Sequence, residues 1–233
     1  MKSSLLTLAA LLISQTAFAT PRDITDEVNP EIIEALDTFT GHLRGYYDDK
    51  EGGFTSNCAG GLVAGGLLVT NDHCTVDINS YVFATNNGDE YRFNFEARLA
   101  TDENRLSLVE MNHQYTPKKA LDDVAHFVTH HHVRSPALDL SSVVGENEIL
   151  IYAQVISFVE GRFNVEYKLT VCTQQEASNS NSYICPNYVD KGASGSLVLN
   201  PENMEPWAIL ASVSKYGVGP GHHQVIVASL GPN

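Results

Sequence analysis

The chain has 233 residues, 43% of them hydrophobic, enough for one large domain with a substantial core. Fourteen Lys and Arg against 28 Asp and Glu give a formal charge of −14, which repels the phosphates of nucleic acid and the face of an anionic membrane. Beyond the first 19 residues no apolar run has the length of a bilayer span, so neither nucleic acid nor membrane insertion is expected of it.

Met1–Ala19 starts with Lys2, continues as the apolar run Leu5–Ile13 and ends on Ala17-Phe18-Ala19. That is the layout of a cleavable export signal cut after Ala19, and the mature chain is expected to be secreted or periplasmic. Residues 20–53 are acidic and carry one predicted helix, with Pro30 in its first turn and Ile32, Ile33, Leu36 and Phe39 on one side. They read as an N-terminal arm or a propeptide ahead of a main domain over 54–233. Apolar runs of four to six residues then recur between turn residues, and helical periodicity is scarce, so the main domain is predicted to be all-β.

The stretch Cys58–Cys74 reads as two short apolar segments joined by a glycine turn, a hairpin pattern. His73 and Cys74 stand where its second arm ends, Cys74 sixteen positions after Cys58. Tyr81–Ala84, Tyr91–Leu99 and Leu106–Met111 read as strands separated by Asn/Asp/Gly turns. Asp122 and Asp123 precede the apolar segment Val124–Val128. His130-His131-His132, with His126 nearby, raises a metal reading; adjacent strand residues point to opposite faces and no His-Glu-x-x-His spacing occurs, so a polar loop is expected and no metal. Ile149–Val159 and Phe163–Cys172 form a second long strand pair, followed by a polar loop over 174–182. Trp207–Ser214 and Gln224–Ala228 are the closing strands.

Lys191-Gly192-Ala193-Ser194-Gly195-Ser196 lies just before the apolar run Leu197-Val198-Leu199. A small-residue turn ahead of a strand can hold one hydroxyl clear of the fold, with backbone N–H groups aimed beside it; a nucleophilic serine needs that geometry. Four cysteines in an exported chain suit two disulfides, and the count leaves three pairings open.

The segment from Cys58 to Cys74, taken with Gly192-Ala193-Ser194-Gly195, resembles the trypsin/chymotrypsin-like serine peptidases, over roughly Cys58 to Ser229, and within them the bacterial glutamyl-endopeptidase-like branch. In that family a Cys-Gly-Gly…His-Cys segment carries the base; here Asn71 and Asp72 replace the alanines before the histidine. The resemblance implies two antiparallel six-stranded barrels, the first over about 54–136 and the second over about 145–230, with the site in the cleft between them. It implies the bridges Cys58–Cys74 and Cys172–Cys185. It makes Ser194 the nucleophile, His73 the base and Asp123 the orienting carboxylate, with the N–H groups of Gly192 and Ser194 as the oxyanion hole. Asp122 and Asp139 are the rivals of Asp123; the spacing of 50 residues from His73 and 71 to Ser194 suits Asp123.

Ala193 stands where many animal members have an aspartate that pairs with a new N-terminal amine, and no basic residue precedes an Ile-Val-Gly-Gly, so activation by that route is not expected. Tyr188, six before the serine, takes the place of the pocket-floor residue, against a trypsin-like choice of Arg or Lys. Ser214-Lys215-Tyr216 is expected to pair with the backbone of a peptide or protein substrate, while Lys215, His222 and His223 read as rim residues without selectivity, with a pull on acidic side chains as the alternative. The expected activity is that of an exported serine endopeptidase without a cofactor. The alternatives are a silent double barrel used for binding, and a metal hydrolase built on His130–His132.

Overall fold

The computed structural model of the protein describes residues 20–46, 54–75, 80–94, 121–129, 138–175, 181–214 and 219–231. The export signal, the strand predicted over Leu106–Met111, the end of Tyr91–Leu99 and the His130–His132 run lie outside these residues. Thr20 leads into a two-residue strand, β1 (Arg22–Asp23), and then into helix α1 (Pro30–Asp37). The helix begins where the sequence predicts. The Asn29 side chain accepts from the Glu31 N–H at 3.0 Å, Pro30 occupies the first turn, and Ile32 and Leu36 are buried.

The first sheet is antiparallel and six-stranded, made of β2 (Thr40–Tyr46), β3 (Phe54–Val63), β4 (Leu67–Thr70), β5 (Ser80–Thr85), β6 (Glu90–Asn94) and β7 (Ala125–Val128) in the order β6-β5-β2-β3-β4-β7. The sequence reading leaves Thr40–Tyr46 in an arm outside the barrel, but β2 is an interior strand, hydrogen-bonded to β3 on one edge and β5 on the other. Its Thr-Gly-His-Leu-Arg-Gly-Tyr sequence hides the strand: over Thr40–Gly45 only Leu43 supplies a large buried apolar side chain.

The second sheet contains β8 (Glu148–Val159), β9 (Arg162–Gln174), β10 (Ser182–Pro186), β11 (Leu197–Leu199), β12 (Pro206–Ser214) and β13 (His222–Ser229). Its order is β1-β9-β10-β13-β12-β11-β8, and β8 also pairs with β9 along its whole length, so the six long-range strands close into a barrel. Strand β1 sits on β9 beyond the short β9–β10 pairing, which docks the N-terminal segment on this barrel. Among the described residues the first sheet is a curled half-barrel. The chain is thus nearly all-β, as predicted.

Strand β8 is buried on both faces from Ile149 to Val155, which is why this part reads as a nearly continuous apolar run. Ile149, Ile151 and Ala153 enter a cluster confined to the second sheet. Leu150 and Tyr152 enter a larger one that also holds Leu43, Leu62, Phe83 and Phe127 of the first sheet and Leu36 of α1. The sheets meet closely at Gly61, where even a methyl would lie 2.4 Å from Leu197 Cδ1.

On β2 the half-buried His42 ring has Nε2 3.1 Å from Asn57 Oδ1 on β3. Burial first, and then the charge of Arg44, push its pKa down to about 4 from an ordinary 6.5, against the pull of the Asn57 contact. Between those values the unfolded chain takes up a proton that the folded chain refuses, so this residue's share of stability falls as the pH drops through that window. Urea unfolding at about pH 7 and about pH 4.5 is expected to show a smaller loss in His42→Gln than in the parent chain; equal losses would show that the ring is not held neutral.

Candidate active site

Strand register sets the first half of the site. In the β4–β7 pair Thr70 lies opposite Ala125, so the residues just after β4 and just before β7 emerge at the same end of the ladder. A single 3-10 turn, Asp72–Thr75, carries His73 there. The Asp123 carboxylate accepts twice from His73, from its backbone N–H at 2.9 Å and, at Oδ2, from ring Nδ1 at 2.5 Å. Asn71 Nδ2 donates to the Asp123 carbonyl at 2.7 Å. The Asp123 side chain is 0% exposed and that of His73 22%. An ionised carboxylate only accepts, so the ring proton sits on Nδ1 and Nε2 keeps the lone pair.

The rivals of Asp123 are turned elsewhere. Asp122 and Asp139 are exposed, and Asp139 Oδ1 accepts from the Ser141 N–H at 2.8 Å, the Ser141 contacts lowering its pKa. The Cys58–Cys74 bridge ties the histidine turn to β3, and Cys172–Cys185 ties β9 to β10, the pairing implied by the resemblance. Among the described residues one group of possible metal ligands converges, Cys58, His73 and Cys74, but its two sulfurs are bonded to each other.

Ser194 lies in the loop between β10 and β11. Gly192 and Gly195 flank it with φ of +93° and +86°, values a side chain rarely takes. At Gly195 a Cβ would lie 2.0 Å from the Ala59 carbonyl oxygen, and this close approach lets the Ser194 carbonyl accept from the Ala59 N–H of β3 at 2.7 Å. Ala193, Gly195 and Ser196 donate their N–H groups within the fold, to the carbonyls of Asp190, Leu210 and Ala193. Among the described residues no carbonyl or side chain accepts from the N–H of Gly192 or of Ser194.

His73 and Ser194 line one cleft of about 290 Å³, together with Asp190, Lys191, Ala211, Ser212 and Val213. Sequence reasoning missed Asp190 and the 211–213 wall; the available signal was their adjacency to Lys191-Gly192 and to Ser214. Ser214 ends β12, next to that wall. Lys215 and Tyr216 lie outside the described residues. Tyr188 is not part of the cleft lining: its hydroxyl is 3.0 Å from Thr170 Oγ1, its ring packs on the second cluster, and burial pushes its pKa up to about 12. His222 and His223 do not line it either; His223 is buried, with Nδ1 2.9 Å from the Val189 carbonyl oxygen.

No family model and no curated protein matches the chain. Solved structures do. The Rv3671c protease from M. tuberculosis in its active form is 14% identical, over 97% of this chain and 90% of that one, with a TM-score of 0.51. The inactive form of the Rv3671c protease matches at 14% over 90% and 92%, with a TM-score of 0.50. A serine endoprotease from Yersinia pestis is 12% identical over 84% of this chain, which spans 61% of it, with a TM-score of 0.51. At such identities the likeness is one of fold: the closed barrel and the half-barrel together form the double barrel of the trypsin-like fold.

Gly195→Ala forces a methyl against a backbone carbonyl at a left-handed φ. Chemical denaturation is expected to show a loss of about 1–3 kcal/mol or more, and a change below about 0.5 kcal/mol would mean that the loop does not press on β3.

Proposed function

We propose that the protein is an exported serine endopeptidase that cuts peptide bonds through an acyl-enzyme. The reading is carried by one observation: a histidine held by a buried carboxylate shares a cleft with a serine on a glycine-flanked turn. The double-barrel fold, common to solved proteases, supports it.

In this mechanism Ser194 Oγ attacks the peptide carbonyl while His73 Nε2 takes its proton, giving a tetrahedral adduct whose oxygen carries the negative charge. The N–H groups of Gly192 and Ser194 hold that oxygen. Asp123 keeps the ring proton on Nδ1 and steadies the imidazolium. Collapse of the adduct breaks the C–N bond, and His73 returns the proton to the leaving amine. Water then attacks the acyl carbonyl while His73 takes its proton; collapse of this second adduct breaks the C–Oγ bond, and His73 returns the proton to Ser194 Oγ, releasing the acid and restoring the enzyme.

The cleft also suggests how the substrate lies. Strand β11 begins opposite Ile209, and beyond Leu210 the residues Ala211, Ser212 and Val213 of β12 line the cleft. A peptide added there as a strand would run along Ala211–Ser214 towards Lys215 and Tyr216. A taste for acidic side chains is not part of the proposal, because neither His222 nor His223 lines the cleft. Export is supported by the two disulfides; among the described residues no helix is long and apolar enough to cross a membrane.

A fluorophosphonate probe should label the folded mature chain, and Ser194→Ala should abolish both labelling and cleavage of denatured casein. Asp123→Asn is expected to lower kcat by about 10⁴-fold through loss of the correct tautomer. Absence of labelling in a folded, disulfide-intact chain would defeat the reading.

A further inference from the structure

In the buried stretch Ile149–Val155 of β8 one amide side chain stands among apolar and aromatic ones: Gln154, 1% exposed. Its surroundings are fully specified. Nε2 donates to the Gly192 carbonyl at 2.7 Å, and Oε1 accepts from the Tyr167 hydroxyl at 2.6 Å. The Gln154 backbone N–H donates to Ser196 Oγ at 3.0 Å. The carbonyl of Gly192 can only accept, so it demands the NH₂ end of the amide; the oxygen end then faces Tyr167, whose hydroxyl donates. One residue of β8 therefore grips the serine loop at both ends, at Gly192 before Ser194 and at Ser196 after it.

Tyr167 is itself held. Its ring lies 5.5 Å from that of Tyr152 across the β8–β9 pair, and the Tyr152 hydroxyl donates to Asp37 Oδ1 at the end of α1 at 2.7 Å. Burial above all pushes the Tyr167 pKa well up, which keeps the hydroxyl a donor. Ala193 has no carboxylate with which to anchor the loop on an amine, and the bonds made by Gly192, Ala193, Gly195 and Ser196 run between neutral groups.

We infer that Gln154 is a positioning residue for the oxyanion site: held by Tyr167, it fixes the Gly192–Ala193 peptide between Gly192 and Ser194, so that the N–H groups of these two residues stand ready for the developing negative charge. This rests on the peptidase reading above and goes beyond it. In the proposed mechanism the Gly192 N–H serves the charge that forms in the transition state, so its misplacement should appear in kcat and not in KM.

The test uses the mature, disulfide-intact chain and two variants. Gln154→Leu keeps the bulk of the side chain and removes both amide bonds. Tyr167→Phe removes one hydroxyl and leaves Gln154 in place. Three quantities are read: the labelling rate with a fluorophosphonate, kcat and KM on a fluorogenic peptide taken from the parent chain's own cleavage of denatured casein, and the thermal midpoint.

The inference expects Gln154→Leu to lower kcat and the labelling rate by about 10- to 100-fold with KM within about threefold, and Tyr167→Phe to lower kcat by about three- to tenfold with KM unchanged. Activity of Gln154→Leu within about twofold of the parent, or a rise in KM alone, overturns it. Where Gln154→Leu does not fold, Tyr167→Phe decides: a kcat loss at an unchanged thermal midpoint supports the inference, and an unchanged kcat overturns it. A parent chain inert to probe and casein alike overturns the peptidase reading and this inference together, whereas an active parent with indifferent variants removes this inference alone.

Discussion

A carboxylate wholly removed from water must be met by donors, or its burial would cost several kcal/mol. Asp123 is such a group, and His73 meets it with both the backbone N–H and the ring Nδ1. That double contact decides the rest of the site. It sets the tautomer, and it requires the β4–β7 ladder to deliver the two residues to one place. The bridge from Cys74 to Cys58 holds the turn against β3, so the histidine is tied to the sheet from two directions.

The serine reaches the same cleft from the second barrel, through contacts between backbones rather than between side chains. Ser194 O accepts from Ala59, Gly195 presses on the Ala59 carbonyl, and both depend on glycine having no side chain. Gln154 grips the loop from the opposite side. The loop is thus clamped between β3 of one sheet and β8 of the other, which suits a site that must present donors in a fixed direction. The N-terminal segment belongs to this arrangement. Arg22 pairs with Glu148 at 2.8 Å, the Ile24 N–H donates to Leu169, and Asp37 receives Tyr152, all on the second barrel. Its helix meanwhile packs its apolar side into the cluster shared with the first sheet.

Features carried by short-range spacing were open to reading from the amino acids. The apolar runs between turn residues announce a β protein. The Cys58–Cys74 hairpin with His73, and the small-residue turn at Ser194, each lie within a few residues of one another, so local chemistry exposes them. Strand β2 escaped because its glycines, histidine and arginine break the alternation expected of a strand, and only hydrogen bonding on both edges makes it one. Tyr188 was placed in the pocket by counting from the serine, yet the second cluster and Thr170 hold it elsewhere. Gln154 left one trace, a polar residue within an apolar run, and nothing local says what it binds.

The order of residues by itself determined that the chain is all-β, that its chemistry-bearing candidates are His73, Ser194 and one of three aspartates, and that its charge disfavours polyanions. Only the tertiary structure shows which aspartate meets His73. The β4–β7 register, with Thr70 opposite Ala125, brings the buried Asp123 to the histidine turn, while its neighbour Asp122 is exposed. Register is a property of the paired strands and the core they enclose. It depends on partners dozens of residues away, which spacing along the chain does not specify.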